Sequence, residues 1–554
     1  MSQMIEEVNH AWSLDLPKGR KAIFKILLLI TAMWLLGIAL VDPRGDFPLD
    51  DDWAYGRAVQ TLLDTGSVRL HDWAAPNFIA QMFWGAIFCL PAGFSFTALR
   101  ISTLVLGLIG IFAQFGLLRE GGLSNRVALF GALSLAVSPF YVELSNTFMT
   151  DVPFVAFCLL ALYFLVRGIR GKGRLDTVAG LVFACIALLI RQAGIAIFIA
   201  ASIAHLATNR WKARTALIAI VPLLLGAVTQ FLYQGWLRHT QLTPAGYDVQ
   251  IRVLLHVVTS LSGRTLVLFI GVFISVMTYL GLFSIPSLML LGLSNLRQLF
   301  RCRPATGATC VFAILAAYYL RNRRIPLLPD VLYDFGLGHP LLYDTETMHL
   351  RHGPHAGVWF WLLLTLAGWI GAVVLFQATL FTLKEACDRR IAPAKRRVLV
   401  LLLATGMVYA APVLLLGIDK FVFDRYCLVL VPLAVFILFS SAPHPGDGNS
   451  RFMLSAVASL VLYGMFSIAG THDYLAWNRV RWLALNELMQ EQNVDPSHID
   501  GGFEFNGWYL YSRNRPNQLL LYVDELTQSF GKKAKTNVPI NSNKSWWGST
   551  KTIT

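Results

Sequence analysis

AIFKILLLITAMWLLGIALV (residues 22–41), running straight into DPRGDFPLDDDWAY (residues 42–55), decides the fold class. The first part carries a single charge, Lys25, and has the length of about 20 residues that a helix needs to cross the hydrocarbon layer. It exceeds a typical signal-peptide core and lacks a clear small-residue cleavage site, so it reads as a retained anchor. Lys18, Arg20, Lys21 and Lys25 cluster at its start and set that end on the cytoplasmic side. The second part puts Asp50, Asp51 and Asp52 where the helix has just left the bilayer. Three adjacent carboxylates repel one another and need water, a cation or a functional reason.

Such runs recur along the 554 residues, which are 56% hydrophobic and 14% charged, against roughly a quarter charged in soluble domains. Length alone predicts about thirteen spans, near 22–41, 97–118, 126–143, 152–168, 176–190, 192–206, 215–233, 264–290, 306–320, 356–382, 398–416, 425–441 and 452–469. Arg191 divides the run 176–206. The stretch 79–93 is short, ends at Pro91 and Gly93, and is expected to lie in the interface or re-enter. The runs are continuously apolar, which excludes the alternating strands of a β-barrel. The net charge of +14 is spread over short loops, so it orients the chain in a lipid bilayer and argues against a nucleic-acid partner. The seven cysteines contain no C-x-x-C pair and define neither a disulfide framework nor a zinc site.

Basic residues concentrate at 167–174, 210–214, 297–303 and 384–397, which assigns those loops to the inside. The acidic cluster, Asp151, the 234–262 and 321–355 loops and everything after 470 then share the outer face. The expected organisation is an α-helical polytopic membrane domain, 1–470, with catalytic outer loops (the first at 42–96), and a small soluble α/β extracytoplasmic C-terminal domain, 471–554. In that domain a helix runs to about Gln492, turn and strand cover Ile499–Phe505, and the residues from Lys532 on are irregular.

Asp51-Asp52-Trp53-Ala54-Tyr55 opens an amphipathic helix with Tyr55, Val59, Leu62 and Leu63 at helical spacing, ended by Gly66. The carboxylates at its start suit an N-cap and a charged first turn, and equally suit chemistry. Asp151-Val152-Pro153 is likewise a good helix start. Two acidic sites opening on one side of the membrane favour the second reading, because a carboxylate at such a mouth can take a proton from a hydroxyl or hold a divalent cation. Arg191 interrupts an apolar run, where an unpaired charge costs about 2.5–3.5 kcal/mol if central, unless it snorkels to the interface. Arg425 has Asp424 beside it as a partner.

These residues together resemble a known family. The order of apolar anchor, Asp51 and Asp52 before Tyr55, Leu62 and Gly66, Arg100, Asp151-Val152-Pro153, Arg191-Gln192-Ala193-Gly194 and Arg425-Tyr426 is similar to that of the GT-C glycosyltransferases. The nearest branch in pattern contains the protein O-mannosyltransferases and the lipid A aminoarabinose transferase. The resemblance implies about a dozen spans and an inverting transfer of a sugar from a polyprenyl-phosphate donor to a lipid, polysaccharide or protein hydroxyl. It implies a bacterial inner membrane, with the site facing the periplasm or exterior. Asp51 is then the general base within a catalytic set of Asp51, Asp52 and Asp151, while Arg191, Arg425 and Tyr426 meet the donor phosphate. A divalent metal ion on Asp51 and Asp151 is the one cofactor implied. Relatives carry a Lys-Pro-Pro segment after the first loop, where this chain has Ala75-Pro76-Asn77-Phe78, so another cation must serve there.

The alternative is a transporter or flippase of lipid-linked saccharides. Transport pathways place ionisable groups near the bilayer midplane, whereas these carboxylates lie at helix mouths, and no inverted repeat is evident. His339, His349, His352 and His355 share the 321–355 loop, but its glycines and proline break the helical spacing that zinc binding would use. Trp546-Trp547 suits a surface or interface anchor.

Overall fold

The computed structural model describes residues 19–511 apart from 210–211, 245, 261, 302, 333–336, 338–356, 420–421 and 443–449. The four loop histidines and Trp546-Trp547 therefore lie outside the described residues. Among the described residues every regular element is a helix, and the chain is an α-helical multi-span membrane protein. Helix α1 (Arg20–Val41) leaves most of its apolar side chains uncovered, and its Trp34 indole fastens it by donating to the Leu104 carbonyl at 3.1 Å. The first loop carries α2 (Asp52–Thr65) and α3 (Ile79–Cys89) before α4 (Phe96–Glu120). Helix α2 buries Tyr55 and Val59 and half-buries Leu62 and Leu63, the amphipathic face read from the sequence. With eleven residues, α3 is about 16 Å long and cannot span.

Helices α5 (Asn125–Ala136) and α6 (Pro139–Ser145) form one span bent by 61°, the break falling where Pro139 forces a restart. Then come α7 (Asp151–Ile169), α8 (Arg174–Ile190), α9 (Ile195–Thr208), α10 (Ala213–His239), α11 (Tyr247–Thr259), α12 (Gly263–Phe283), α13 (Ile285–Leu299) and α14 (Arg303–Leu320). The series ends with α15 (Val358–Cys387), α16 (Pro393–Leu416), α17 (Leu430–Ser440) and α18 (Ser450–Gln490). Helix α7 packs between α4 and α8, α9 lies on α10 and α16, and α12 pairs with α15. The last crossing is close enough that a Cβ added to Gly281 would sit 2.2 Å from the Ala372 nitrogen, the small-residue approach that membrane helices use.

Among the described residues eight helices are long and apolar enough to span, and ten if each bent pair counts as one. The difference from thirteen lies in α8, α9 and α17, of 17, 14 and 11 residues. Helix α8 stops at Ile190, Arg191 is extended (φ −139°, ψ 137°), and a 3-10 turn at Gln192–Gly194 precedes α9. The stretch Asp424–Val429 is likewise a 3-10 turn leading into α17. Both sequence-read cations thus sit in breaks. Irregular backbone at such depth survives where protein covers it, and here Phe78 N–H donates to the Ile190 carbonyl at 2.9 Å while the Gln192 amide donates to that of Ala75 at 2.8 Å.

Of the expected C-terminal α/β unit, 471–554, the described residues reach only to Tyr511. Helix α18 runs 41 residues without interruption, about 60 Å, so 471–490 continues the last span. The segment expected as turn and strand, Ile499–Phe505, holds a one-turn helix at Phe503–Phe505, and no strand occurs among the described residues. Tyr474, Leu475, Trp482, Leu485, Ile499 and Phe505 share a core with Val41 at the end of α1, Phe47 and Leu49 of the first loop and Val142 of α6. These side chains tie the described part of the tail to the membrane domain.

Candidate active site

Asp50, Asp51 and Asp52 occupy three different environments. Asp52, the first residue of α2, is fully buried. Its Oδ1 accepts from Leu49 N–H at 2.6 Å and its Oδ2 from Phe148 N–H at 3.1 Å, so it ties the acidic turn to the segment before α7. Burial pushes its carboxyl up to about 7, against the pull of Arg100 and the two N–H donors. Asp50 has a left-handed backbone (φ 53°), an uncommon conformation outside glycine. Its carboxylate is ion-paired to Arg425 Nη1. Asp51 does not cap the helix. Its Oδ1 accepts from Trp73 Nε1 at 2.7 Å and its Oδ2 from Arg425 Nη2 at 3.1 Å.

Arg425 is therefore an organiser of carboxylates. Asp330 Oδ2 also lies 3.1 Å from its Nε, without the alignment of a hydrogen bond. Side-chain exposure is 19% for Asp51, 11% for Asp50 and 3% for Asp330, so Asp51 is the member that a substrate can reach. Burial pushes Asp50 and Asp330 upward, with Arg425 opposing. Asp424 accepts the N–H groups of Val331 and Leu332, both at 3.0 Å, which pins the loop bearing Asp330.

Asp151 opens α7 and pairs with Arg191 Nη2 at 2.8 Å. Arg191 Nε donates to Thr150 Oγ1 at 2.6 Å, and its guanidinium lies 5.7 Å from the Tyr426 ring. Nη1 of Arg191 has no hydrogen-bond partner among the described residues. The two halves meet at Tyr55, whose phenol feels Asp51, Arg191, Arg425 and Asp151 together, and at the 425–426 dipeptide, whose first residue holds Asp51 and whose second faces Arg191. All six sequence-read site residues thus lie at one end of the bundle, with Asp52 turned away into backbone hydrogen bonds.

Asp330, Trp73, Thr150 and Glu504 were not read from the sequence. Asp330 belongs to a loop whose only signal is balanced charge, and Glu504 reaches the site across 454 positions, accepting from Asp50 N–H at 3.3 Å. Asn77, in the Ala75-Pro76-Asn77-Phe78 stretch, is fully buried. Its amide donates to the Leu188 carbonyl at 2.6 Å and to Gln230 Oε1 at 2.9 Å, and its Oδ1 accepts from Tyr247. It knots the first loop to α8, α10 and α11. A metal does not fit: no group of three or more His, Cys, Asp or Glu side chains converges among the described residues, and guanidiniums already hold Asp51 and Asp151.

Residues 77–233 match the family model described as dolichyl-phosphate-mannose-protein mannosyltransferase, so the resemblance read from the motifs holds over that stretch. It contains Asp151 and Arg191 but not the acidic cluster. No curated protein sequence matches the chain. Among solved structures, ArnT from Cupriavidus metallidurans in the apo state is 15% identical, over 94% of this chain and 92% of that one, with a TM-score of 0.42. The same protein bound to undecaprenyl phosphate is 13% identical over 91% and 72%, with a TM-score of 0.40. The apo Archaeoglobus fulgidus oligosaccharyltransferase is 14% identical over 90% and 61%, at 0.40. Likenesses of that grade transfer no residue roles.

Proposed function

We propose that this protein is an inverting glycosyltransferase that moves a sugar from a polyprenyl-phosphate donor to a hydroxyl acceptor on the non-cytoplasmic face of a bacterial inner membrane. The observation that carries the reading is Asp51, a reachable carboxylate held by an indole N–H and a guanidinium beside the Arg191–Asp151 pair. The family match over 77–233 supports it.

Asp51 accepts the proton of the incoming alcohol. Each carboxylate oxygen keeps a lone pair beyond the one given to Trp73 or Arg425, and that lone pair takes the proton. The alcohol oxygen then bonds to the anomeric carbon as the bond to the phosphate oxygen breaks. A polyprenyl phosphate leaves as a stable anion, so no second acid is needed, unlike glycosidases with a poor leaving group. Direct displacement inverts the centre. Arg191, with Nη1 unengaged, neutralises the phosphate as charge develops. Arg425 is committed to Asp50, Asp51 and Asp330, and its part is to aim the base.

The test is transfer of radiolabelled sugar from polyprenyl-phosphate donors to candidate lipid, polysaccharide and peptide acceptors by purified protein. Transfer that survives intact in Asp51→Asn would overturn the assignment of the base.

A further inference from the structure

Beyond the carboxylates, the segment that follows α18 touches the acidic turn itself. Glu504 is buried, with 2% of its side chain exposed, and its Oε2 is ion-paired to Arg481 Nη2 at 2.8 Å. Its Oε1 accepts the N–H of Asp50 at 3.3 Å. Arg481 is held in turn on α18, its guanidinium 4.9 Å from the Trp477 ring. Two further contacts fasten the same segment to α2. Arg57 donates to the Trp508 carbonyl at 2.6 Å and lies 3.6 Å from its ring centre. Gly507 sits so close to Trp53 that a Cβ there would come within 2.4 Å of the indole.

We infer that Glu504, anchored by Arg481, is a positioning residue for Asp51: by holding the Asp50 amide it fixes the left-handed turn that aims the neighbouring carboxylate. The inference rests on the proposed glycosyl transfer. The reasoning is local. Asp50 adopts φ 53°, which an L-residue holds only when its surroundings over-determine it. Its carboxylate is fixed by Arg425 and its amide by Glu504, so both ends of the residue are restrained. Releasing the amide lets the turn relax toward negative φ, and Asp51, the next residue, swings with it. Misplacement of a reacting group by about 1 Å costs up to about a hundredfold in rate.

The experiment uses the full chain, comparing wild type with Glu504→Ala and Glu504→Gln in sugar transfer and in hydrogen exchange of peptides covering 48–54 and 499–511. Expected for Glu504→Ala is a fall in kcat of roughly ten- to a hundredfold with donor KM unchanged, and faster exchange confined to 48–54. Expected for Glu504→Gln is a partial recovery of that loss, since the amide oxygen still accepts the Asp50 N–H while its NH2 cannot replace the carboxylate oxygen paired with Arg481. Unaltered kcat in Glu504→Ala overturns the inference. So does equal loss of protection over 499–511, which would mean that Glu504 merely keeps the tail docked. If wild type transfers no sugar from any donor, the functional reading fails by itself. Hydrogen exchange then decides whether Glu504 holds the turn, and unchanged exchange at 48–54 in Glu504→Ala rejects it.

Discussion

At the residue scale, the site separates carboxylates that look identical in sequence. Asp51 and Asp52 are neighbours, yet one is partly exposed between an indole and a guanidinium and the other is buried on two backbone N–H groups. Replacing Asp51 with Asn is expected to lower kcat by about 10²–10⁴, the usual contribution of a general base, with donor binding retained in a filter-binding assay. Arg191→Ala should instead raise donor KM as well as lower kcat, because the phosphate loses its charge partner and Asp151 is left buried and unpaired. Asp52 carries a pH signature. Near its ordinary value of 3.8 the folded and unfolded chains titrate differently, because folding raises this carboxyl to about 7. Between those values only the folded form holds the proton, so stability contributed at low pH is lost as pH rises toward 7 and is constant above it. Thermal unfolding in detergent should show that decline, and Asp52→Asn should flatten it.

At the element scale, broken helices are the theme. A continuous helix hides its backbone groups and points side chains sideways, whereas a break at Arg191 or at Asp424–Val429 releases backbone that needs partners and lets a cation turn into the crevice. The apolar run and its interrupting arginine are visible in sequence; the extended residue, the 3-10 turn and the carbonyls that satisfy them depend on α3 and α7 arriving from elsewhere. Asn77 illustrates the same dependence. Asn77→Lys, which adds a cation to this stretch, is expected to destabilise the protein rather than improve donor binding. It would put an ammonium where the neighbours are Leu188, Gln230 and Tyr247, and an uncompensated buried charge costs several kcal/mol. A fall in unfolding temperature with no gain in donor affinity checks this. Tighter donor binding in that variant would overturn the expectation and show that position 77 is open to phosphate.

At the scale of the whole molecule, the basic loops orient the chain and the acidic end follows. In spheroplasts, a membrane-impermeant maleimide is expected to label Ser67→Cys, exposed just after α2, but to reach the exposed native Cys387, which lies among the basic residues 384–397, only after permeabilisation. The reverse pattern would place the crevice in the cytoplasm and end the proposed function. The sequence by itself determined the membrane class, the apolar first helix, the amphipathic α2, the short α3 and the break at Arg191. Each of these is written in local apolar length or in the sign of nearby charge, quantities that need no partner. It also supplied the six candidate residues, through acidic residues and arginines that stand out at the edges of apolar runs and through the motifs that carry the family resemblance. Tertiary structure alone decided which carboxylate is reachable, that Arg425 gathers Asp50, Asp51 and Asp330, and that the tail joins the first loop in one core. Those outcomes rest on contacts between residues hundreds of positions apart, where burial and ion pairing are settled by packing and leave no periodic trace in the chain.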